Sequence, residues 1–228
     1  MGYPPPDTEE VEKIPADVLK PLWFAQWELV AIACTWDVLQ DIFGAEDSSN
    51  LLSRASNYGF REIQDALIEK CILGLARLMD REGEGARRTL SLQGLHRAMQ
   101  DQGHDALAAS VCRSLSEEDA DGRSLKEMRN KVLAHNDWGT GVGMVEHPEV
   151  KFRYIQSRIE CWQELVNEVR AYFGVKRFCY ELTMGADASG ILESLRVLKQ
   201  FRELRKQLWL MEMPDAELRQ KMMAIRPR

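Results

Sequence analysis

The residues of this chain best suited to chemistry lie in the stretch SLKEMRNKVLAHND, residues 124–137. Read as a helix, this stretch has an apolar stripe that ends in His135. The other members of the stripe are Leu125, Met128 and Val132. A histidine can give or take a proton near neutral pH, and an arginine such as Arg129 can bind a phosphate and stabilise its charge. The two residue types are therefore suited to acid–base chemistry and to binding an anion.

The two side chains do not meet on one regular helix. At roughly 100° per residue, Arg129 and His135 are about 120° apart around the axis. They converge if the helix end is distorted, or if a second copy of the helix faces the first. A two-fold dimer would bring two histidines and two arginines into one cleft. We therefore expect a homodimer formed through the helix Ser124–His135.

Two stretches carry a resemblance to a known family. RNKVLAHND resembles the Arg-(four to six residues)-His signature of the HEPN superfamily (higher eukaryotes and prokaryotes nucleotide-binding). Upstream, LARLMDREGEGARRTLSLQGL is similar to the AbiU-type abortive-infection branch. In that branch an Ala-Arg-Leu-x-Asp helix end precedes a Ser-Leu turn and a short helix. The resemblance covers about residues 60–173, which is half of the chain.

The resemblance implies a helical bundle that dimerises through its motif helices. It also implies metal-independent RNA cleavage or, in inactive members, binding of RNA or a nucleotide. Arg129 and His135 match the catalytic pair, and Asn130 matches the accompanying polar residue. One histidine would activate the ribose 2′-hydroxyl while the other protonates the departing 5′-oxygen, with no cofactor and no metal ion. The expected products are a 2′,3′-cyclic phosphate and a 5′-hydroxyl.

Further residues are candidates for supporting roles. Asn136 and Asp137 flank the catalytic pair as second-sphere groups. Arg77 and Asp80 are one helical turn apart, so an ion pair between them is the simplest interpretation, although both could line the cleft. Candidate RNA contacts lie in a basic cluster near the C-terminus, where a solvated helix face is the simpler alternative. They are Arg196, Lys199 and Arg202.

Composition places limits on the class of protein. The 228 residues are 45% hydrophobic and 29% charged, which is typical of a globular chain. The net charge of −6 argues against non-specific coating of nucleic acid but leaves room for one local basic site. The apolar runs are too short for a membrane span, and the N-terminal stretch lacks the pattern of a secretory signal, so we expect neither feature. Five scattered cysteines predict buried, reduced thiols and a cytoplasmic protein.

Helical periodicity runs through the chain, and no strand pattern of useful length occurs. The sequence thus predicts an all-α fold, a HEPN-like helical bundle with extra C-terminal helices. We expect a flexible leader over residues 1–14, the bundle over 15–185 and a helical appendage over 186–228. Long helices are predicted over 15–43, 53–80, 150–173 and 187–210, with shorter ones after Ser91 and over 104–114.

Three functions stay open on the sequence. The first is a HEPN-type endoribonuclease that acts as a toxin or phage-defence effector, with an antitoxin as a candidate partner. The second is a catalytically inactive HEPN dimer that binds RNA, a nucleotide or another protein. The third is a plain helical interaction protein in which the Arg129/His135 pair is a coincidence. The intact pair favours the first, and the acidic net charge favours the second.

Overall fold

A computed structural model describes residues 4–80, 90–116, 127, 151–180, 185–211 and 220. The fold is all-α, as predicted, and the described residues contain no β-strand. The helices are α1 (Thr8–Lys13), α2 (Ala16–Phe43), α3 (Ser48–Leu78), α4 (Leu92–Asp101), α5 (Asp105–Ser116), α6 (Phe152–Tyr172) and α7 (Gly185–Met211).

Helix α1 lies in the segment expected to be a flexible leader. It begins with a capping box: the Glu10 N–H donates to Asp7 Oδ1 at 2.8 Å, and the Asp7 N–H donates to Glu10 Oε2 at 3.0 Å. These bonds satisfy two backbone donors that a helix start leaves open. Glu10 is itself buried, and Ile14, which follows α1, is part of the core. Part of the predicted leader is therefore helical and contributes side chains to the core.

Helix α2 begins at Ala16, close to the predicted start at residue 15, and Pro21 lies inside it. The N–H groups of Val18 and Leu19 bond the carbonyl of Pro15 at 2.9 and 2.8 Å, so the first turn is closed before Pro21. A proline inside a helix forfeits one backbone bond. Burial of Val18 and Leu22 offsets that loss, because both side chains are almost completely removed from solvent.

Helix α3 begins five residues earlier than predicted and is kinked. Ser56 has non-helical torsion angles of φ −165° and ψ 93°, and its hydroxyl accepts a bond from the Gly59 N–H at 3.3 Å. Serine in this role resembles an N-cap, which explains why the helix resumes after the break.

Helices α4 to α6 follow the sequence prediction closely. The Ser91 hydroxyl caps α4 by accepting a bond from the Gly94 N–H at 3.2 Å. Gly103, with φ +76°, turns the chain between α4 and α5 in a conformation that favours glycine. Helix α5 packs on both α4 and α6. Trp162 of α6 is among the largest fully buried side chains.

The chain forms two compact units. The first comprises Met1–Trp36 and Ile68–Glu181, and the second comprises Asp37–Leu67 and Leu182–Arg228. The second unit has its own core of Ile42, Leu52 and Leu192, packed on by Val38, Phe43, Ala45, Phe60 and Leu195. The C-terminal segment, expected as an appendage, therefore shares a core with the end of α2 and the first half of α3.

Two further expectations concern membrane-spanning helices and the burial of the cysteines. Among the described residues, none of the helices has the length and apolar character needed to cross a membrane. All five cysteines are free thiols, and Cys71 is buried as predicted. Cys112 and Cys179 are exposed, however, because they lie on outward-facing positions of α5 and of the stretch after α6.

Candidate functional site

The predicted catalytic segment lies outside the described residues. This applies to Arg129, Asn130 and His135, to the flanking Asn136 and Asp137, and to the dimerisation helix, of which only Glu127 is described. The other predicted site residues are described. Arg77 and Asp80 belong to the first unit, and the basic cluster of α7 belongs to the second.

Arg77 lies in the last turn of α3 and is held by a carboxylate on α2. Its Nε donates to Oε1 of Glu28 at 3.0 Å, and its Nη2 donates to the same oxygen. The Glu28 side chain is only 4% exposed, whereas the Arg77 side chain is 55% exposed. A buried carboxylate thus holds one edge of the guanidinium, while much of the arginine remains in contact with solvent.

The backbone of α3 brings this pair together at Gly74. A Cβ at Gly74 would lie 2.6 Å from Ile32 Cγ1 and 3.2 Å from Glu28 Oε1. Only a residue without a side chain lets α2 and α3 approach this closely. Gly74 therefore creates the helix contact in which the Glu28 carboxylate is enclosed.

Asp80 occupies the position just beyond α3. Its N–H donates to the carbonyl of Arg77 at 3.2 Å, which closes the helix end. The sequence predicted Asp80 as the partner of Arg77, and the structure shows Glu28 of α2 bonded to its guanidinium.

Sequence reasoning did not single out Glu28. The signal that could have found it is a lone carboxylate in the apolar stretch WELVAIA of α2. A charged residue enclosed among apolar neighbours needs a partner, because burying an unpaired charge is costly. The sequence shows that such a partner is required but not that it is Arg77.

A second buried charge cluster lies at the end of α6. Arg170 Nη1 donates to Glu10 and to Gln26 Oε1, the latter at 2.8 Å, and its Nε donates to the Lys176 carbonyl at 2.8 Å. The Arg170 and Glu10 side chains are 6% and 8% exposed. Protein groups occupy these donors, so the cluster serves to fix α1 on α6 and presents no open face for a substrate.

The basic cluster of α7 divides into two kinds of residue. Arg196 is engaged: its Nε and Nη2 form a two-pronged pair with Asp47 at 3.0 and 2.8 Å, and its Nη1 lies 3.6 Å from Glu193. This pairing lowers the pKa of the Asp47 carboxyl, chiefly through the hydrogen bond from Arg196. Lys199 and Arg202 instead line a groove whose other wall includes Arg54 of α3.

The described residues contain no group of three or more histidine, cysteine, aspartate or glutamate side chains that could hold a metal ion. The five predicted site residues that the structure describes belong to two groups. One is the Arg77 and Asp80 helix end beside Glu28 in the first unit. The other is the set of α7 cations in the second unit.

Comparison with known proteins identifies a matching family. The model of a HEPN family described as AbiU2 matches residues 27–174, which is more than half of the chain. The matched span begins in α2, ends just after α6, and includes Glu28, Arg77, Arg129 and His135. No curated protein and no solved structure gives a significant match.

Proposed function

Because the chain belongs to the AbiU2 family of HEPN proteins, we propose that it is a metal-independent endoribonuclease of HEPN type. The observation that carries the proposal is the Arg129…His135 pair, which has the HEPN spacing and lies inside the matched span. Abortive infection is the role that the family description suggests. We therefore assign the protein to the toxins or phage-defence effectors, acting in the cytoplasm with an antitoxin as its expected partner.

The proposed reaction needs only groups that the chain supplies. One His135 takes the proton of the ribose 2′-hydroxyl, and the 2′-oxygen attacks the adjacent phosphorus. The 5′-oxygen then leaves with a proton from the His135 of a second protomer. Arg129 binds the phosphate oxygens and stabilises the charge that grows on them. The bond from the 2′-oxygen to phosphorus forms as the bond from phosphorus to the 5′-oxygen breaks. The products are a 2′,3′-cyclic phosphate and a 5′-hydroxyl.

Dimerisation follows from the same chemistry. Each protomer has one motif histidine, whereas the reaction uses one base and one acid at the same time. A homodimer through the helix Ser124–His135 supplies both, and Asn130 is expected to orient one of the reacting groups. Asn136 and Asp137 would support the histidine from the adjacent positions.

RNA cleavage in the presence of EDTA tests the proposal. We expect wild-type protein to yield cyclic-phosphate ends, identified by mass spectrometry. His135→Ala and Arg129→Ala should each lower the rate by about 10² to 10⁴. The matched controls are His96→Ala on α4 and Arg153→Ala on α6, which should cleave at the wild-type rate. Loss of cleavage on chelation, or equal rates for all five proteins, would contradict the assignment.

A second candidate is a HEPN dimer without catalytic activity that binds RNA, a nucleotide or another protein. The net charge of −6 favours it, since a substrate with many phosphates is repelled by an acidic surface. RNA binding without cleavage at any divalent-ion concentration would select this function. The third hypothesis, an interaction protein with a coincidental motif, predicts that His135→Ala changes only stability.

A further inference from the structure

We infer that a groove on the second unit, between the first half of α3 and α7, binds the sugar–phosphate backbone of single-stranded RNA. The inference rests on the proposed function and adds to it a second RNA-binding site, apart from the catalytic pair in sequence. Its cations are Arg54, Lys199 and Arg202. The first comes from a helix more than 140 positions away in the sequence, so the site exists only in the folded chain.

The lining of the groove has an uneven charge. Helix α3 contributes Leu51, Arg54 and Ala55, and α7 contributes Leu195, Leu198, Lys199, Arg202 and Glu203. Three cations therefore face one carboxylate, in a chain whose net charge is −6. A local positive surface on an acidic protein attracts polyanions to that place and not to the rest of the molecule.

These three cations are available to a ligand. Arg54, Lys199 and Arg202 are exposed, and in the part of the chain that the structure describes none of them forms an ion pair. Arg196, one turn before Lys199, is the contrast, because Asp47 and Glu193 already neutralise it. Of the basic cluster, Lys199 and Arg202 line the groove, and Arg54 of α3 lines it with them.

Size and chemistry decide which phosphate ligand fits. The cavity volume is about 70 Å³, well below the roughly 300–1,000 Å³ of sites that enclose a small molecule. The groove can therefore contact an extended chain from one side but cannot enclose a nucleotide. Guanidinium groups bond phosphate oxygens in pairs, and aliphatic side chains such as Leu198 can contact the sugars. Cations on both walls suit a backbone that lies along the groove.

Binding and cleavage are separated by the choice of probe. A 20-nucleotide RNA with 2′-O-methyl groups cannot be cleaved by attack of the 2′-oxygen, so its affinity for the full-length protein reports binding alone. The test variant is Arg54→Gln/Lys199→Gln/Arg202→Gln. The matched control is Lys20→Gln/Arg61→Gln/Lys70→Gln, which removes three exposed cations elsewhere and makes the same change in net charge. Circular dichroism and thermal unfolding verify that both variants are folded.

Three lost phosphate contacts should weaken binding at least tenfold at 0.1 M salt. They should also reduce the slope of log affinity against log salt by about 2, at roughly 0.7 per contact for single strands. The control should stay within twofold of wild type with an unchanged slope. Equal losses in both variants, or no binding by wild type, would overturn the inference. Unchanged RNA affinity in the test variant would overturn it too and would leave the groove to an acidic protein partner.

Cleavage of unmodified RNA tests the proposed function separately. A ribonuclease without this groove site would show wild-type affinity and wild-type cleavage in the test variant. A groove site without ribonuclease activity would show groove-dependent binding of the 2′-O-methyl probe and intact unmodified RNA. If both hold, the test variant should raise KM and leave kcat unchanged, because the groove binds substrate and transition state equally.

Discussion

The guanidinium Nε of Arg77 lies 3.0 Å from Oε1 of Glu28, so a buried carboxylate on α2 fixes an arginine whose side chain is half exposed on α3. Gly74 allows the close helix approach that encloses the carboxylate. A buried charge that loses its partner is strongly destabilising, whereas removing both partners is much less so. The pair is therefore expected to tie the stability of the first unit to the position of Arg77.

Arg77→Ala should lower the free energy of unfolding by about 1–3 kcal/mol, because it takes a charged donor away from a buried acceptor. Glu28→Gln/Arg77→Ala should be more stable than Arg77→Ala alone, since no buried charge is left without its guanidinium. Urea unfolding measures both. Arg61→Ala, an exposed arginine on the same helix, is the control and should change stability by less than about 0.5 kcal/mol. Additive losses at Glu28 and Arg77 would argue against coupling.

Gly74→Ala should destabilise the protein by about 1–3 kcal/mol, because the new methyl group would lie 2.6 Å from Ile32 Cγ1 and force α2 and α3 apart. The same change at Gly190 of α7 meets no atom within 4 Å and should stabilise by up to about 1 kcal/mol through helix propensity. Thermal unfolding of the two variants should thus shift in opposite directions. An unchanged or raised unfolding temperature for Gly74→Ala would show that α2 and α3 do not pack as described.

Arg196→Gln should raise the pKa of Asp47 towards its ordinary value. The hydrogen bond from Arg196 lowers that pKa, and the charges of Arg196 and Lys199 add to the effect while desolvation opposes it. A lowered carboxyl pKa stabilises the fold above the unfolded-state value and is lost as pH falls through the folded-state value. The variant should therefore lose less stability than wild type as the pH falls from about 4 to about 2. This range begins near the ordinary pKa of aspartate and extends below it, because the folded-state pKa is lowered.

NMR titration of the Asp47 side chain measures the pKa of its carboxyl directly. Arg202→Gln is the control, because Arg202 is not among the groups that shift this pKa. An Asp47 titration curve that is identical in wild type and Arg196→Gln would show that the two-pronged pair does not persist in solution.

Cys71 should resist alkylation at pH 8, whereas Cys112 and Cys179 should react rapidly. Burial raises the pKa of the Cys71 thiol from 9.0 to about 12, with a small opposing effect of Lys70, so little thiolate is present. Mass spectrometry after timed exposure to iodoacetamide identifies each site. Cys112→Ser should remove one fast site and leave the protection of Cys71 unchanged. Rapid native-state modification of Cys71 would be inconsistent with a closed α2–α3 contact.

The same shift predicts alkaline sensitivity. A thiol with a raised folded-state pKa stabilises the protein fully below its unfolded-state pKa of about 9 and loses that contribution as pH rises towards 12. Stability measured between pH 9 and 11 should fall less steeply in Cys71→Ala than in wild type. A steeper or equal fall would assign the alkaline sensitivity to other groups.

The sequence predicted the helices well because their signals are local. The sequence predicts the start of α4 after Ser91, since a capping side chain acts on its own neighbours. The same locality limits what can be predicted. Pairing of Glu28 with Arg77 depends on packing between helices, so spacing along one helix pointed to Asp80 instead. Nothing near Arg54 in the sequence indicates that it lines a groove with Lys199.

Expectations for the candidate site divide in the same way. The resemblance selected the family correctly, because motifs such as Arg129…His135 are short and contiguous. The roles of that pair, and of the helix expected to form the dimer, remain predictions. Arg196 shows why charge clusters are poor evidence on their own: its partner Asp47 is 149 residues away, and only the folded chain reveals that its charge is already matched.

The bond between Glu10 and Arg170 links positions 160 residues apart. During synthesis at about 5–20 residues per second, roughly 8–32 seconds separate the appearance of the carboxylate from that of its cation. Helix α1 is thus synthesised well before α6, the helix that carries its buried partner. Completion of the first unit consequently waits for the synthesis of α6, and a nascent chain that stops short of α6 cannot complete it.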